Sequence, residues 1–251
     1  MRTSLDATRC AVAVAISCAA ILAGATACGT TASGHSTPAA SAKPSVNPLA
    51  GLTAEQIARR ASADLRAVSS VHVTGWGEGS GQSAVVDLTL GTKGCTGTFR
   101  IQGEGSFVLL KIGKMLWIKP DNQFWKSVSR SSSDPALLKV LEGKYLRTSA
   151  HFSGLNSIGM FCDPRQFAGD FGGPVNDLVK GKTTTIFGQP ALQLTDIRHR
   201  ASAYVTISAR PDFLRIDAGS QGHLDFTGYN APMSLTPPPA AETVDGSKYG
   251  F

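Results

Sequence analysis

The chain has 251 residues, of which 42% are hydrophobic, 17% charged and 7% aromatic. This composition excludes a polytopic membrane protein and a largely disordered chain. The formal net charge of +6 comes from basic residues scattered along the sequence. Nucleic-acid-binding proteins usually gather such residues into runs, so we expect no nucleic-acid partner.

The N-terminus has the pattern of an export signal. Arg2 and Arg9 precede an uncharged, alanine-rich apolar stretch over residues 11–27. This pattern predicts a secretory signal peptide over residues 1–27. A single membrane-spanning helix is the alternative, but a stretch of this length is marginal for a hydrocarbon core of about 30 Å.

Small residues lead up to a cysteine at the end of this stretch. Ala25-Thr26-Ala27 before Cys28 resembles the lipoprotein box of bacteria, in which the cysteine is acylated, for example with palmitate, and becomes the mature N-terminus. The resemblance predicts lipidation of Cys28 and a protein anchored to the outer face of the cell membrane. Ordinary cleavage after Ala27 is the alternative and would give a secreted protein.

Residues 28–50 are predicted to be a flexible tether, because residues 29–50 contain no Phe, Trp, Tyr or Ile and are rich in Gly, Ala, Ser, Thr and Pro. Such a segment cannot bury enough apolar surface to offset the entropy of ordering. Residues 51–251 are then predicted to form one domain with an irregular C-terminal tail.

The number and positions of the cysteines are those expected of an exported protein. Cys10 and Cys18 lie in the predicted signal peptide and Cys28 is predicted to carry lipid, which leaves Cys95 and Cys162 as a pair. A redox site needs close spacing such as Cys-x-x-Cys, and these two are far apart in sequence. An even pair in an oxidising compartment indicates a structural disulfide.

One helix opens the domain. Thr53 and Gln56 have the spacing of a capping box, so the helix is expected to begin there and to end near Ser69. Its apolar residues recur every three or four positions, which gives one apolar face. These residues are Ile57, Ala61, Leu65 and Val68.

Strands follow, because apolar residues alternate with polar ones from Val71 onward. Strands are predicted at 71–74, 84–90, 99–102, 107–112 and 115–118, and later at 183–187, 191–195, 203–207, 213–217 and 223–229. Residues 75–81 are predicted to be a flexible hairpin loop. Helical stretches are expected at 134–141, at 155–171 and, as a single turn, at 175–179. Pro164 favours two short pieces over one continuous helix at 155–171. Residues 237–251 are predicted to be irregular.

This order of elements resembles the LolA-like superfamily and, within it, the actinobacterial LppX/LprG-type lipoproteins. The resemblance covers roughly residues 53–245 and is carried by four motifs. They are Ser69-Ser70-Val71-His72-Val73-Thr74-Gly75, Lys114-Met115-Leu116-Trp117-Ile118-Lys119 with Trp125, Gly188-Gln189-Pro190-Ala191-Leu192-Gln193-Leu194, and Phe226-Thr227-Gly228-Tyr229-Asn230 followed by Pro237-Pro238-Pro239-Ala240. It implies an α+β fold in which a strongly curved antiparallel sheet, a half-barrel, has helices covering its concave face.

The resemblance also implies a cavity that holds the acyl chains of a lipid, glycolipid or lipoprotein. The candidate cavity residues are Val71, Val73, Val86, Leu88, Phe99, Ile101, Leu109 and Trp117. If sheet and helices pack fully together, the same residues form an ordinary core. The sequence leaves these two alternatives open.

The sequence carries no enzyme signature. Gly-x-Ser-x-Gly is missing, no His-Glu-x-x-His occurs, and Gly181-Lys182-Thr183 lacks the earlier glycine of a phosphate loop. We therefore expect no catalytic residue, metal site or cofactor. Arg198, Arg200, Arg210 and Arg215 lie on or near late strands, where they either attract anionic headgroups or form a solvated outer face.

Two functions remain. In the first, a membrane-anchored lipoprotein binds a lipid or acylated ligand in an apolar cavity and carries or presents it in the cell envelope. In the second, the cavity is collapsed and the domain is a non-catalytic interaction or sensing module with an unidentified partner protein. A persistent apolar cavity would distinguish the first function from the second.

Overall fold

The computed structural model describes residues 47–79, 81–129, 139–149, 162–171 and 177–249. The predicted signal peptide, Cys28 and the tether as far as residue 46 lie outside the described residues. Most of the predicted helix 134–141 also lies outside the described residues, although residues 139–141 are described and are helical. The same is true of the first part of the predicted helix 155–171.

Three helices and twelve strands make up the described fold. The helices are α1 (Ala54–Ala67), α2 (Asn122–Ser129) and α3 (Pro164–Phe171). The first six strands are β1 (Ser70–Gly79), β2 (Gln82–Gly91), β3 (Gly94–Ile101), β4 (Gly105–Ile112), β5 (Met115–Pro120) and β6 (Tyr145–Ser149). The others are β7 (Leu178–Ile186), β8 (Gln189–Asp196), β9 (Ala201–Thr206), β10 (Phe213–Asp217), β11 (Gly222–Thr227) and β12 (Thr243–Asp245).

Helix α1 begins at its predicted capping box. The Thr53 hydroxyl accepts the Gln56 backbone N–H at 3.2 Å, and the Gln56 side chain accepts the Thr53 N–H at 2.8 Å. These two bonds satisfy N–H groups that the first helical turn leaves without partners. The apolar face predicted from the sequence is buried, with Ile57, Ala61 and Leu65 almost fully inaccessible to solvent. Helix α1 lies against α3 and the sheet half that contains β7 and β10.

All twelve strands belong to one curled, unclosed sheet with the order β12-β6-β5-β4-β3-β2-β1-β11-β10-β9-β8-β7. This confirms the predicted α+β half-barrel. The sheet is mixed rather than wholly antiparallel, because β12 pairs in parallel with β6. Strand β12 also corrects the prediction of an entirely irregular C-terminal tail.

Several predicted boundaries were wrong. Residues 75–79 are not a loop: they continue β1 and pair with β2 on one side and, as far as Gly77, with β11 on the other. Residues 178–179 are not a helical turn but the start of β7. Helix α2 and strand β6 were missed. Pairing across the sheet explains the differences in the strands, since it can extend a glycine-rich strand that local propensity disfavours.

The disulfide predicted from the cysteine count is present. Cys95 on β3 is bonded to Cys162, just before α3, with the Cα atoms 5.0 Å apart and both residues buried in the main core. The bond therefore ties α3 to the sheet. Closing a loop of this sequence separation contributes about 4 kcal/mol in the chain-entropy model.

Gly97 lies where two strands approach closely. Its φ is +153°, and a Cβ atom built on it would lie 2.0 Å from the Asp87 carbonyl oxygen on β2. Only glycine allows this approach, because any side chain would push the β2 backbone away. Glycine at this position therefore permits close backbone contact within the curled sheet.

We expect Gly97→Ala to lower the free energy of unfolding by about 3 kcal/mol or more, from backbone strain plus displacement of β2. Gly103→Ala is the matched control: its φ is +80° but no atom lies within 4 Å of the added Cβ, so it should cost about 1–2 kcal/mol. Urea unfolding of both variants measures the difference. Equal losses would show that the close approach at Gly97 has no cost of its own.

Candidate functional site

Strand pairing places the apolar residues of the inner sheet face in rows, because directly paired residues share a face. One row runs from β5 to β11 and is almost completely buried. Its members are Ile118, Leu109, Gly97, Leu88, Val73 and Phe226. We call this the packed row. It forms the centre of the hydrophobic core.

A second row lies next to the packed row and is offset from it by two residues on each strand that both rows cross. It is formed by Phe99 on β3, Val86 on β2, Leu224 on β11, Ile216 on β10 and Ala203 on β9, with Gly75 of β1 in the middle. We call this the half-buried row, because its side chains contact the core but keep part of their surface accessible. At about 4.8 Å between strands, it extends over roughly 24 Å from Phe99 to Ala203.

The eight predicted cavity residues fall into three groups. Val71, Val73, Leu88 and Leu109 are buried in the core. Val86, Phe99 and Ile101 are half-buried and contact that core. All seven lie on the inner face. The structure therefore brings these seven together, but in two different environments.

Trp117 is the exception and lies on the other face of the sheet. Its neighbours Leu116 and Ile118 both belong to the main core, so alternation along β5 directs Trp117 outward. It lines an outer-face cavity of about 300 Å³ together with Arg147, Asp245 and the proline-rich C-terminal segment. The alternation was not visible because residues 115–118 form a continuous apolar run. The structure does not place Trp117 with the other candidates.

Three residues of the half-buried row were absent from the sequence prediction: Leu224, Ile216 and Ala203. The sequence does contain a signal for them, because each lies in a predicted strand and alternates with polar or outward-facing neighbours. Their shared row with Val86 depends on the pairing of β1 with β11 across more than 140 positions of sequence. That pairing cannot be read from local pattern.

A small cavity lies between α1 and the end of the half-buried row. Its volume is about 210 Å³, and it is lined by Ala58, Leu178, Leu194, Asp196, Ala201, Ser202, Ala203, Phe213 and Ile216. Most of these side chains are apolar. The volume is below the roughly 300–1,000 Å³ of typical small-molecule pockets, so the cavity is too small for a whole lipid.

One carboxylate borders this cavity. Asp196 accepts hydrogen bonds from His199 through Nδ1 at 2.8 Å and through its backbone N–H at 3.0 Å. These bonds, the side-chain one first, hold the pKa of Asp196 below its ordinary value. Asp196 is therefore ionised at neutral pH and keeps the turn after β8 folded against the cavity.

A larger cavity of about 540 Å³ lies where β3, β4 and β5 meet the start of α2. Phe99 and Phe107, whose rings stack with centroids 5.1 Å apart, border it, but its charged residues Arg100 and Lys119 alternate with the inner-face residues of their strands and belong to the outer face. Partial burial favours the neutral form of Asp121, which also borders the cavity, but hydrogen bonds from the Phe124 N–H and from Ser106 outweigh it and lower the pKa. This cavity is therefore not part of the half-buried row.

Several described basic side chains are paired with carboxylates. Arg215 donates two hydrogen bonds to Asp225, at 2.6 and 2.9 Å, and this pairing raises the pKa of the arginine. His72 contacts Asp87 at 2.8 Å. Arg210 contacts Asp64 of α1 at 3.0 Å. Within the described residues, no group of three or more His, Cys, Asp or Glu side chains is arranged to hold a metal ion.

Comparison with known proteins identifies the fold. No protein-family model matches the chain, and no curated protein matches its sequence. Among solved structures, LprF from Mycobacterium bovis aligns with a TM-score of 0.51 and 14% identity, over 74% of this chain and 96% of LprF.

The chain has the fold of LprF. This confirms the predicted resemblance to LppX/LprG-type lipoproteins at the level of the fold. An uncharacterised conserved protein from Thermus thermophilus also aligns, over 76% of this chain and 98% of that protein, at 11% identity. Its TM-score of 0.34 is too low to support an argument. In the described part of the chain, no helix is long and apolar enough to cross a membrane.

The same Val→Ala substitution should change the free energy of unfolding by different amounts in the two rows. Val73→Ala in the packed row should lower the free energy of unfolding by about 2 kcal/mol, because it leaves a cavity in a closed core. Val86→Ala in the half-buried row should cost about 1 kcal/mol or less, because less apolar surface is removed from contact. The loss of β propensity is common to both variants. Equal losses in urea unfolding would mean that Val86 is ordinary core.

Proposed function

We propose that this protein binds the acyl chain of a lipid or acylated ligand along the half-buried row and carries or presents it in the cell envelope. The observation that supports this most strongly is the row itself: five apolar side chains from five strands lie side by side on the inner face with part of their surface accessible. Contiguous accessible apolar surface of this kind is characteristic of ligand grooves and interaction sites.

The glycine in the middle of the row supports an elongated ligand. Gly75 has no side chain, and a Cβ atom built on it would lie 2.1 Å from the His223 carbonyl oxygen, so glycine lets β1 and β11 approach closely between Val86 and Leu224. A flexible acyl chain could cross this strand and contact both neighbours. Each methylene transferred from water to such a surface contributes about 0.8 kcal/mol, which is roughly a fourfold gain in affinity per added carbon.

The chemistry of the site favours binding over catalysis. Apolar surface recognises an acyl chain without a positioned polar group. The charged group at one end of the row, Asp196, is held by local hydrogen bonds within its turn. In this proposal it stabilises that end of the groove.

We also propose that Cys28 is acylated after removal of residues 1–27 and that the acyl group anchors the protein to the outer face of the cell membrane. The small residues before Cys28 and the fold shared with LprF support this proposal. Anchoring would place the half-buried row within reach of membrane lipids.

A charged side chain in the row should abolish binding. We expect Val86→Glu to lower the affinity for a long-chain fatty acid at least tenfold, because the carboxylate must be desolvated against the acyl chain. Val85→Glu is the matched control: Val85 is adjacent on β2, 48% exposed and on the outer face. Native mass spectrometry of the full chain with Cys28→Ser, purified without detergent, measures the adducts.

The wild-type groove should also bind fatty acids more tightly as the chain lengthens. If the protein with Val86 intact forms no adduct, even after incubation with lipid vesicles, the proposal is contradicted. That result would favour a function as a non-catalytic interaction module. Equal binding by the Val85 and Val86 variants would contradict the location of the site.

Substitution of Cys28 tests the anchor. Cys28→Ser should move the protein from the membrane fraction to the soluble extracytoplasmic fraction and abolish metabolic incorporation of an alkyne-labelled palmitate, because the serine cannot be acylated as the mature N-terminus. Cys18→Ser, within the predicted signal peptide, is the control and should leave both readouts unchanged. Continued labelling of Cys28→Ser would show that acylation occurs elsewhere.

A further inference from the structure

The turn between β8 and β9 exposes an apolar side chain among basic ones. Ile197 is 61% exposed, the highest value among the exposed large hydrophobic residues of the described chain. The side chains of Arg198 and His199 are 71% and 77% exposed, and Arg200 completes the turn. A single exposed isoleucine is common, but one flanked by three basic side chains has the composition of a membrane-contact element.

The turn is held in a defined shape. Asp196 accepts the backbone N–H groups of both Arg198, at 2.9 Å, and His199, at 3.0 Å. The Arg198 Nε atom lies 2.5 Å from the Asp177 carboxylate across the neighbouring strand. Arg200 forms no ion pair with any residue that the structure describes. Ile197 therefore stays exposed because the turn around it is fixed.

A second exposed apolar residue lies beside the turn. Val179 on β7 is 43% exposed and pairs with Thr195 on β8. Ile197 is the first residue of the turn that follows β8, two positions after Thr195. Val179 and Ile197 are therefore two exposed apolar side chains at the edge of the sheet where β7 pairs with β8.

The N-terminal segment joins the domain at this same edge. The Lys180 ammonium group donates hydrogen bonds to the carbonyl oxygens of Leu49, at 3.2 Å, and Ala50, at 3.0 Å. The described chain therefore begins at this edge of the sheet.

The cavity beneath α1 also meets the turn. Asp196 and Ala201, the residues on either side of the turn, both line that cavity of about 210 Å³. Ala58 of α1 and Ile216 of the half-buried row line the same cavity. The turn is therefore next to one end of the half-buried row.

We propose that the β8–β9 turn, residues 197–200, docks on an anionic lipid bilayer together with Val179. Ile197 and Val179 enter the interface between headgroups and acyl chains. Arg200 contacts lipid phosphates, and the exposed Arg198 does so beside its ion pair with Asp177. Docking places the cavity beneath α1 at the membrane surface, so that an acyl chain can enter the half-buried row. This last step rests on the proposed lipid-binding function; the docking itself does not.

Vesicle binding tests the proposal. The full chain with Cys28→Ser is incubated with vesicles of equimolar phosphatidylglycerol and phosphatidylcholine, and with pure phosphatidylcholine, and bound protein is measured by co-sedimentation. We expect preferential binding to the anionic vesicles that weakens with added salt. Equal binding of the protein with its turn unsubstituted to both vesicle types would overturn the proposal.

Neutralising the turn should weaken binding selectively. Arg198→Gln with Arg200→Gln should lower partitioning about fivefold or more at low salt, since an uncompensated basic residue such as Arg200 contributes about fivefold near an anionic leaflet and the charge of Arg198 is partly offset by Asp177. Val179→Ser with Ile197→Ser should also weaken it. The matched control is Lys93→Gln with Lys114→Gln, in exposed turns at the opposite end of the sheet. Equal losses of vesicle binding in the double arginine variant and the double lysine variant would overturn the proposal.

The docking variants also separate the two proposals. Binding of a soluble fatty acid without vesicles should be unchanged in the Arg198 and Arg200 variant. If that variant loses vesicle binding but no protein ever forms a fatty-acid adduct, docking stands and the lipid-binding function fails. If vesicle binding is insensitive to the turn while adducts form, docking fails and the function stands.

Discussion

A sheet with one apolar face must cover that face, and here the apolar line is longer than α1, the longest described helix that packs on it. The line that includes the half-buried row crosses eight strands from Phe107 to Leu194, roughly 34 Å at the usual strand spacing. Helix α1 has 14 residues and is about 21 Å long. The packed row fills the centre of the core, and the row beside it keeps accessible apolar surface.

The same constraint explains the positions of the glycines and the disulfide. Gly97 allows β2 and β3 to approach closely within the curled sheet, and Gly75 does the same for β1 and β11. The Cys95–Cys162 bond ties α3 to the sheet beside α1. These features stabilise a strongly curved sheet. In the proposed function, the half-buried row on its inner face serves as a groove for an acyl chain.

The local sequence pattern was sufficient to predict much of the fold. The capping box at Thr53, the alternation in the strands and the cysteine count correctly predicted α1, most of the sheet and the disulfide. Long-range pairing accounts for the errors: β1 extends past Gly75 because β11 pairs with it, and β6 forms between β5 and β12. For the site, alternation found Val86 and Phe99, but a continuous apolar run concealed the outward direction of Trp117. The other half of the row required the β1–β11 pairing.

The central claim is that an acyl chain lies along the half-buried row, and its position can be measured directly. A fatty acid carrying a nitroxide on its chain broadens the NMR signals of nearby methyl groups. The account predicts strong broadening for Val86, Leu224 and Ile216, and little for the packed and more distant Val71 and Leu116. Broadening confined to the outer face around Trp117, or none on the inner face at saturating ligand, would contradict it.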